Sequence, residues 1–295
     1  MSTSADEFSH RFVQANGLRF HCAECGPDDG KLVVLLHGFP EFWWSWHAQM
    51  KALATKGYRV VAPDMRGYNL TDRPSGVASY RAEELGNDVA GIISAYGRDK
   101  SIVVGHDWGG VVAWEFAMHH SSMLERLVIL NAPHPVTMRD RLRTWRQARR
   151  SWYIFMFQLP WLPERILARG HFAMMRRSFG ESIPPTDIER YIEAAKNGGN
   201  LSGGINYYRA AIRSMVRNDG RPARVVDKPV LIVWGERDAF LGRELAEPPQ
   251  NLAADYSVHY IPSASHWVQA DASEEVSDAL IRFFADENLA VAPSA

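Results

Sequence analysis

Cysteine is nearly absent: the 295 residues contain two, Cys22 and Cys25. Two thiols cannot build a disulfide framework or a four-thiolate zinc centre. An excess of either charge is lacking too. Lys and Arg number 33 against 34 Asp and Glu, a formal net charge of -1, so no long-range pull toward nucleic acid or anionic lipid is expected. No apolar run approaches the roughly 20 residues of a membrane span. The opening residues are polar and include Asp6 and Glu7, which predicts no secretory leader. What remains is ordinary globular material. Hydrophobic residues make up 46% and charged residues 23%, which excludes a disordered chain. The length suits one large α/β domain or two small ones. A soluble, cytoplasmic chain is the expectation.

Short β-branched runs alternate with longer amphipathic stretches. Leu32–Leu36, Val60–Ala62, Ile102–Val104, Leu127–Leu130, Val230–Val233 and Val258–Ile261 are almost continuously apolar, as strands covered on both faces should be. Helical patterns fall at Trp43–Lys56, Tyr80–Tyr96, Gly109–His119 and Ala272–Phe284. In the last, Val276, Leu280 and Phe283 share one face. The alternation predicts a mostly parallel sheet with helices on both faces. Ahead of it, Arg11–Gln14 and Leu18–Cys25, split by Asn16-Gly17, read as an antiparallel hairpin. From about His134 to Arg224 no strand is evident. Arg, Trp, Phe and Met dominate there, punctuated by Pro160, Pro163, Pro184, Pro185 and two Gly-Gly pairs. This reads as a helical insertion after the sixth strand. Ala285–Ala295 is expected to fray.

The strongest local signal is Gly105-His106-Asp107-Trp108-Gly109-Gly110, which follows one strand and opens a helix. It has the glycine spacing of a nucleophile elbow, with Asp at the turn. Small neighbours let strand and helix approach, and the helix N-terminus favours an ionised carboxylate. Asp107 as a plain helix cap competes with this reading. His37-Gly38-Phe39-Pro40 follows another strand, where backbone N–H groups of Phe39 and Trp108 would form an oxyanion hole. Asp238 and His266 each follow a later strand. The chain order of nucleophile, acid and histidine is that of an α/β-hydrolase. His266 would act as base and Asp238 would orient it, with Glu236 competing for the acid role. Asn131, after the sixth strand, cannot supply the charge.

These residues carry a family resemblance. The pieces His37-Gly38-Phe39-Pro40-Glu41, Pro63-Asp64-Met65-Arg66-Gly67-Tyr68, Gly105-His106-Asp107-Trp108-Gly109-Gly110 and Ser265-His266-Trp267 resemble the epoxide hydrolase family of α/β-hydrolases. The resemblance implies an eight-stranded, mostly parallel sheet with helices on both faces. Residues 1–133 and 225–295 would form the core, and 134–224 a helical cap. It also implies two cap tyrosines that donate to the epoxide oxygen. Trp152-Tyr153-Ile154-Phe155 places the first at Tyr153, and Ile205-Asn206-Tyr207-Tyr208-Arg209 places the second at Tyr208, with Tyr207 as the register alternative. The expected reaction opens a small lipophilic epoxide to a vicinal diol through an ester of Asp107, with water as co-substrate and neither cofactor nor metal. A homodimer stays open.

The same Asp-nucleophile branch contains dehalogenases. Trp108 fits a haloalkane dehalogenase equally well, but Phe39 stands where such enzymes commonly offer Asn. The fluoroacetate branch expects arginines near the nucleophile, where this chain has Trp108 and Val111. A non-catalytic lidded binding protein is the reading from another class. Cys22 and Cys25, three apart on a strand, should face opposite sides. Asp64 and Arg66 are expected to fix a turn, and His106 to pack behind the site. If Thr137–Arg150 is one helix, Arg139, Arg143, Arg146 and Arg150 share a solvated face. Most of the insertion's aromatic residues, Trp145, Trp152, Phe155, Phe157, Trp161, Phe172 and Phe179 among them, are expected to be packing.

Overall fold

The computed structural model describes residues 8–179, 183–199 and 201–286. The hairpin comes first, as β1 (Ser9–Ala15) and β2 (Leu18–Cys25), with Asn16 and Gly17 both at positive φ in the turn. The remaining strands are β3 (Leu32–Leu36), β4 (Arg59–Pro63), β5 (Ser101–His106), β6 (Leu124–Leu130), β7 (Val230–Gly235) and β8 (Tyr256–Ile261). They form one eight-stranded sheet in the order β1-β2-β4-β3-β5-β6-β7-β8. β2 pairs antiparallel with β1 and β4, and every other pairing is parallel.

Alternate residues of β3 feed separate cores. Val33 and Leu35 pack on one face of the sheet, Leu32, Val34 and Leu36 on the other. The period-2 geometry of a strand puts successive side chains on opposite faces, so a run buried throughout signals a sheet covered twice. On the sheet's faces lie α1 (His47–Ala54), α2 (Ala82–Ala95), α3 (Trp108–His119), and near the C-terminus α10 (Val268–Asp271) and α11 (Ser273–Phe284). The expected helix from Trp43 begins instead as a 3-10 turn over Trp43–Trp46 before α1. Cys22 and Cys25 are free and reach opposite faces of the sheet.

Between β6 and β7 the chain is helical: α4 (Pro135–Arg141), α5 (Trp145–Arg150), α6 (Trp152–Met156), α7 (Leu162–Ser178), α8 (Pro185–Asn197) and α9 (Ser202–Arg217). The single helix expected over Thr137–Arg150 is two. Thr144 takes an extended conformation and breaks it, so the four arginines do not lie on one continuous helical face. The aromatic expectation also needs correcting. Phe157, Phe172 and Phe179 are buried, whereas Trp145, Trp152, Phe155 and Trp161 are exposed. The tail is described only to Asp286; the rest of Ala285–Ala295 lies outside the described residues.

Candidate active site

Asp107 sits at the turn between β5 and α3 with φ 48° and ψ -119°. Such a left-sided backbone is strained for a residue with a Cβ and is characteristic of functional turns. Glycines make the turn feasible. A Cβ on Gly105 would stand 2.3 Å from the Gly109 carbonyl oxygen, and one on Gly109 would stand 2.1 Å from the Leu36 carbonyl oxygen. The carboxylate therefore projects beyond the strand ends, beside the loop after β3. There the Phe39 amide donates to Asp107 Oδ1 at 2.8 Å. Trp108 opens α3, so its amide is among those with no carbonyl partner inside the helix.

The other carboxylate oxygen faces the histidine. His266 Nε2 lies 3.6 Å from Asp107 Oδ2, an ion-pair contact longer than a hydrogen bond. On its far side, His266 Nδ1 meets Asp238 Oδ2 at 2.7 Å. Asp238 is buried, and its Oδ1 accepts the amides of Phe240 and Leu241 at 2.7 and 2.9 Å. Glu236, the competing acid, instead pairs with Arg243. Burial alone would lower the His266 pKa. The Asp238 charge and the Asp107 contact overcome it, and the imidazole ends above its ordinary value. Burial alone would raise Asp107. His266, then the His106 imidazole and the Phe39 amide, reverse this and hold the carboxyl below its ordinary range. His266 thus lies between two carboxylates, both of which favour its charged form.

Tyr153 on α6 and Tyr208 on α9 face each other with ring centroids 5.9 Å apart. Tyr208 also packs edge-on against Trp108 at 4.9 Å and Phe39 at 5.5 Å. Both phenols are raised above the ordinary tyrosine value, first by burial and then by the Asp107 charge. They are neutral proton donors at pH 7. Tyr207 also lines the larger cavity, but its hydroxyl is engaged away from Asp107, donating to the Arg66 carbonyl at 3.0 Å.

Two cavities meet at these residues. One, of about 560 Å³, runs along α3 past Asp107, Trp108, Val111 and Glu115; the other, of about 150 Å³, passes Phe39, Trp152, Phe240 and His266. Asp107, Tyr153 and Tyr208 line both. The lining is mostly apolar, with few polar groups at the convergence, as small-molecule sites usually are.

Sequence reasoning missed two supports. Asn131 lacks charge, yet its Nδ2 donates to Asp238 Oδ2 at 2.8 Å. Glu41 appears in the sequence only as part of a motif. Buried behind the turn, its Oε2 accepts the Gly38 amide at 3.0 Å and lies 2.8 Å from His106 Nδ1, while Oε1 accepts Gln269 at 2.9 Å. His106 Nε2 in turn reaches the His266 carbonyl at 2.9 Å. Asp64 holds its turn by accepting the Trp43 amide and the Asn69 side chain, beside His21. Among the described residues, no group of three or more His, Cys, Asp and Glu side chains could hold a metal ion.

A doubly covered eight-stranded sheet with an acid at the β5–α3 turn, an amide pocket after β3, and an acid and a histidine after β7 and β8 defines an α/β-hydrolase. The α/β-hydrolase fold family model matches residues 31–273. An α/β-hydrolase superfamily protein of Bacillus subtilis is 38% identical over 283 residues, covering 94% of this chain and 98% of its own. An epoxide hydrolase of Caenorhabditis elegans is 37% identical, covering 92% of this chain and 69% of its own. The crystal structure of an epoxide hydrolase from Bacillus megaterium with an inhibitor superposes with a TM-score of 0.86 at 29% identity, covering 93% of this chain and 100% of its own. The chain belongs to the epoxide hydrolase family of α/β-hydrolases.

Proposed function

We propose that the protein hydrolyses epoxides to vicinal diols through a covalent ester of Asp107. The observation that carries this reading is the pair of neutral phenols, Tyr153 half-buried and Tyr208 buried, lining the same two cavities as Asp107. Opening an epoxide turns an ether oxygen into an alkoxide. That poor leaving group needs a proton or strong donors in the transition state.

In the first step Asp107 Oδ2 attacks a ring carbon. The carbon–oxygen bond breaks, and the phenols donate to the departing oxygen. The product is a hydroxyalkyl ester. Esterification removes the Asp107 charge, one of the two that raise His266. The imidazole pKa then falls, and the proton it gives up restores the phenol that protonated the alkoxide. As free base, His266 takes a proton from water, and the hydroxide attacks Cγ of Asp107. Negative charge develops on Oδ1, the oxygen already held by the Phe39 amide, and the Trp108 amide completes the hole. Collapse expels the diol oxygen, which takes the proton from His266. Asp107 returns carrying one oxygen from water. Asp238 keeps the ring oriented and offsets its positive charge.

Helices of residues 134–224 act in this reading as a cap over a core of residues 1–133 and 225–295. The substrate is a small lipophilic epoxide, matched to the apolar cavity walls. Two free thiols suit the reducing cytoplasm. The haloalkane dehalogenase reading is weaker, because the position after Gly38 offers an apolar ring, Phe39, packed on Phe157 and Tyr208.

The test is a panel of aliphatic and aryl epoxides assayed for diol, with halide release from chloro- and bromoalkanes measured in parallel. A single turnover in heavy-oxygen water should put label into the enzyme's carboxylate. Label in the diol on that first turnover would rule out the covalent route.

A further inference from the structure

The near-neutral net charge hides a strong imbalance. Between Pro135 and Phe179 there are ten arginines against two acids, Asp140 and Glu164, so the rest of the chain carries nine more acids than bases. Among the described residues, Arg141, Arg143, Arg149 and Arg150 form no ion pair. Among the described residues, the same segment holds the largest exposed apolar side chains: Trp145 is 81% exposed, Trp161 60%, Trp152 56% and Phe155 55%, with Leu159 and Met174 close behind. Arg165 stacks over the Trp161 ring at 4.9 Å. Exposed aromatic side chains among arginines are unusual for a face bathed in water alone. They match a bilayer interface, where indole rings settle at headgroup depth and guanidinium groups meet anionic phosphates.

We propose that this face, built on α5, α6 and the first part of α7, docks on an anionic lipid surface. A second copy of the chain is a poorer occupant. A two-fold contact presents the same patch to itself, and here it would set arginines against arginines. The place of the patch gives docking a purpose. Trp152 and Met174, both exposed, also line the smaller cavity, whose walls include Asp107 and His266. A lipophilic compound dissolved in the bilayer would reach that cavity without crossing water. Docking itself goes beyond the hydrolytic reading and does not require it.

The experiment is flotation of the purified full chain with phosphatidylcholine vesicles, with and without phosphatidylglycerol. Binding should require the anionic lipid and weaken as salt rises. Arg146→Ala/Arg149→Ala/Arg150→Ala should weaken it by on the order of a hundredfold, about fivefold per arginine. Trp145→Ser/Trp161→Ser should also weaken it while leaving the salt dependence in place. Circular dichroism checks that each variant is folded, and turnover of a water-soluble epoxide without vesicles should stay at the parent level. Absence of flotation with anionic vesicles overturns the proposal. So does flotation that the variants leave unchanged, or a concentration-dependent dimer, without lipid binding, that they abolish. Flotation is read without any epoxide, so failure of the hydrolytic assignment would leave its outcome intact.

Discussion

Asn131 and Asp238, 107 residues apart in sequence, are joined directly. The Asn131 amide nitrogen donates to Asp238 Oδ2 at 2.8 Å, while its oxygen accepts the Gly235 amide at 2.8 Å. Asp238 Oδ2 is also the oxygen that meets His266. Asn131 therefore fixes the position of the one carboxylate oxygen on which the imidazole turns. Asn131→Ala should slow ester hydrolysis about tenfold and cost about 1–2 kcal/mol of stability, since a buried amide and carboxylate lose a partner. Stopped-flow separation of the two half-reactions would reveal it. Equal slowing of alkylation and hydrolysis would count against a role through Asp238.

Removing the base should split the reaction. In His266→Gln, alkylation proceeds but hydrolysis falls by about a thousandfold or more. Mass spectrometry should then find the intact protein heavier by the mass of the epoxide. Asp107→Asn should form no adduct at first, with activity returning only as the amide slowly deamidates. An unmodified His266→Gln protein that still turns over would exclude this division of labour.

In the proposed mechanism the phenols act in the first half-reaction. Tyr153→Phe or Tyr208→Phe should slow alkylation by about a hundredfold, and the double variant by more, because each is a proton donor at the developing alkoxide. Ester hydrolysis should be less affected. Tyr207→Phe, which loses only a bond to the Arg66 carbonyl, should leave alkylation near the parent rate and lower the melting temperature instead.

The raised His266 pKa gives the acid limb of the pH profile. Hydrolysis needs the neutral imidazole, so its rate should fall as pH drops. The midpoint should lie below the His266 pKa of the resting enzyme, where the Asp107 charge still acts. Rapid-quench measurement of ester decay against pH tests this. A midpoint unchanged between resting enzyme and intermediate would contradict the coupling.

Glu115, in the larger cavity, should cost stability at alkaline pH. Burial, then Glu83, push its carboxyl up to about 7, against the pull of Arg221. A carboxyl raised on folding binds more protons in the folded state. Stability is therefore greatest below its unfolded value and declines as pH rises through about 7. Glu115→Gln should raise stability on the order of 1–2 kcal/mol at pH 8 and change little at pH 5. Denaturant melts at the two pH values make the comparison.

The sheet was readable in the sequence because strands covered on both faces leave near-continuous apolar runs, and β3, Leu32–Leu36, lies where its run lies. Asp107 was readable because its turn demands glycines at 105 and 109. Asn131 was set aside for its missing charge. Its use depends on β6 and β7 lying side by side, which no local pattern records. The division of residues 135–150 into α4 and α5 escaped for another reason. Thr144 is no strong breaker, so its extended backbone leaves no mark in the local sequence. Periodicity cannot say that Trp145 and Trp152 face outward either, since an aromatic side chain in a helix is more often core.

Glu41 is one acid serving three parts of the chain, the loop after β3, the end of β5 and α10: the Gly38 amide, His106 and Gln269 all converge on it, and His106 carries the linkage on to the His266 carbonyl. The amide-bearing turn after β3 and the histidine proposed as base thus share a single keystone. Redesigning residues 38–41 to admit bulkier molecules would drag the imidazole along, so selectivity is more safely altered at apolar wall positions of the helical insertion away from the two phenols, such as Met138, Leu142 and Met156.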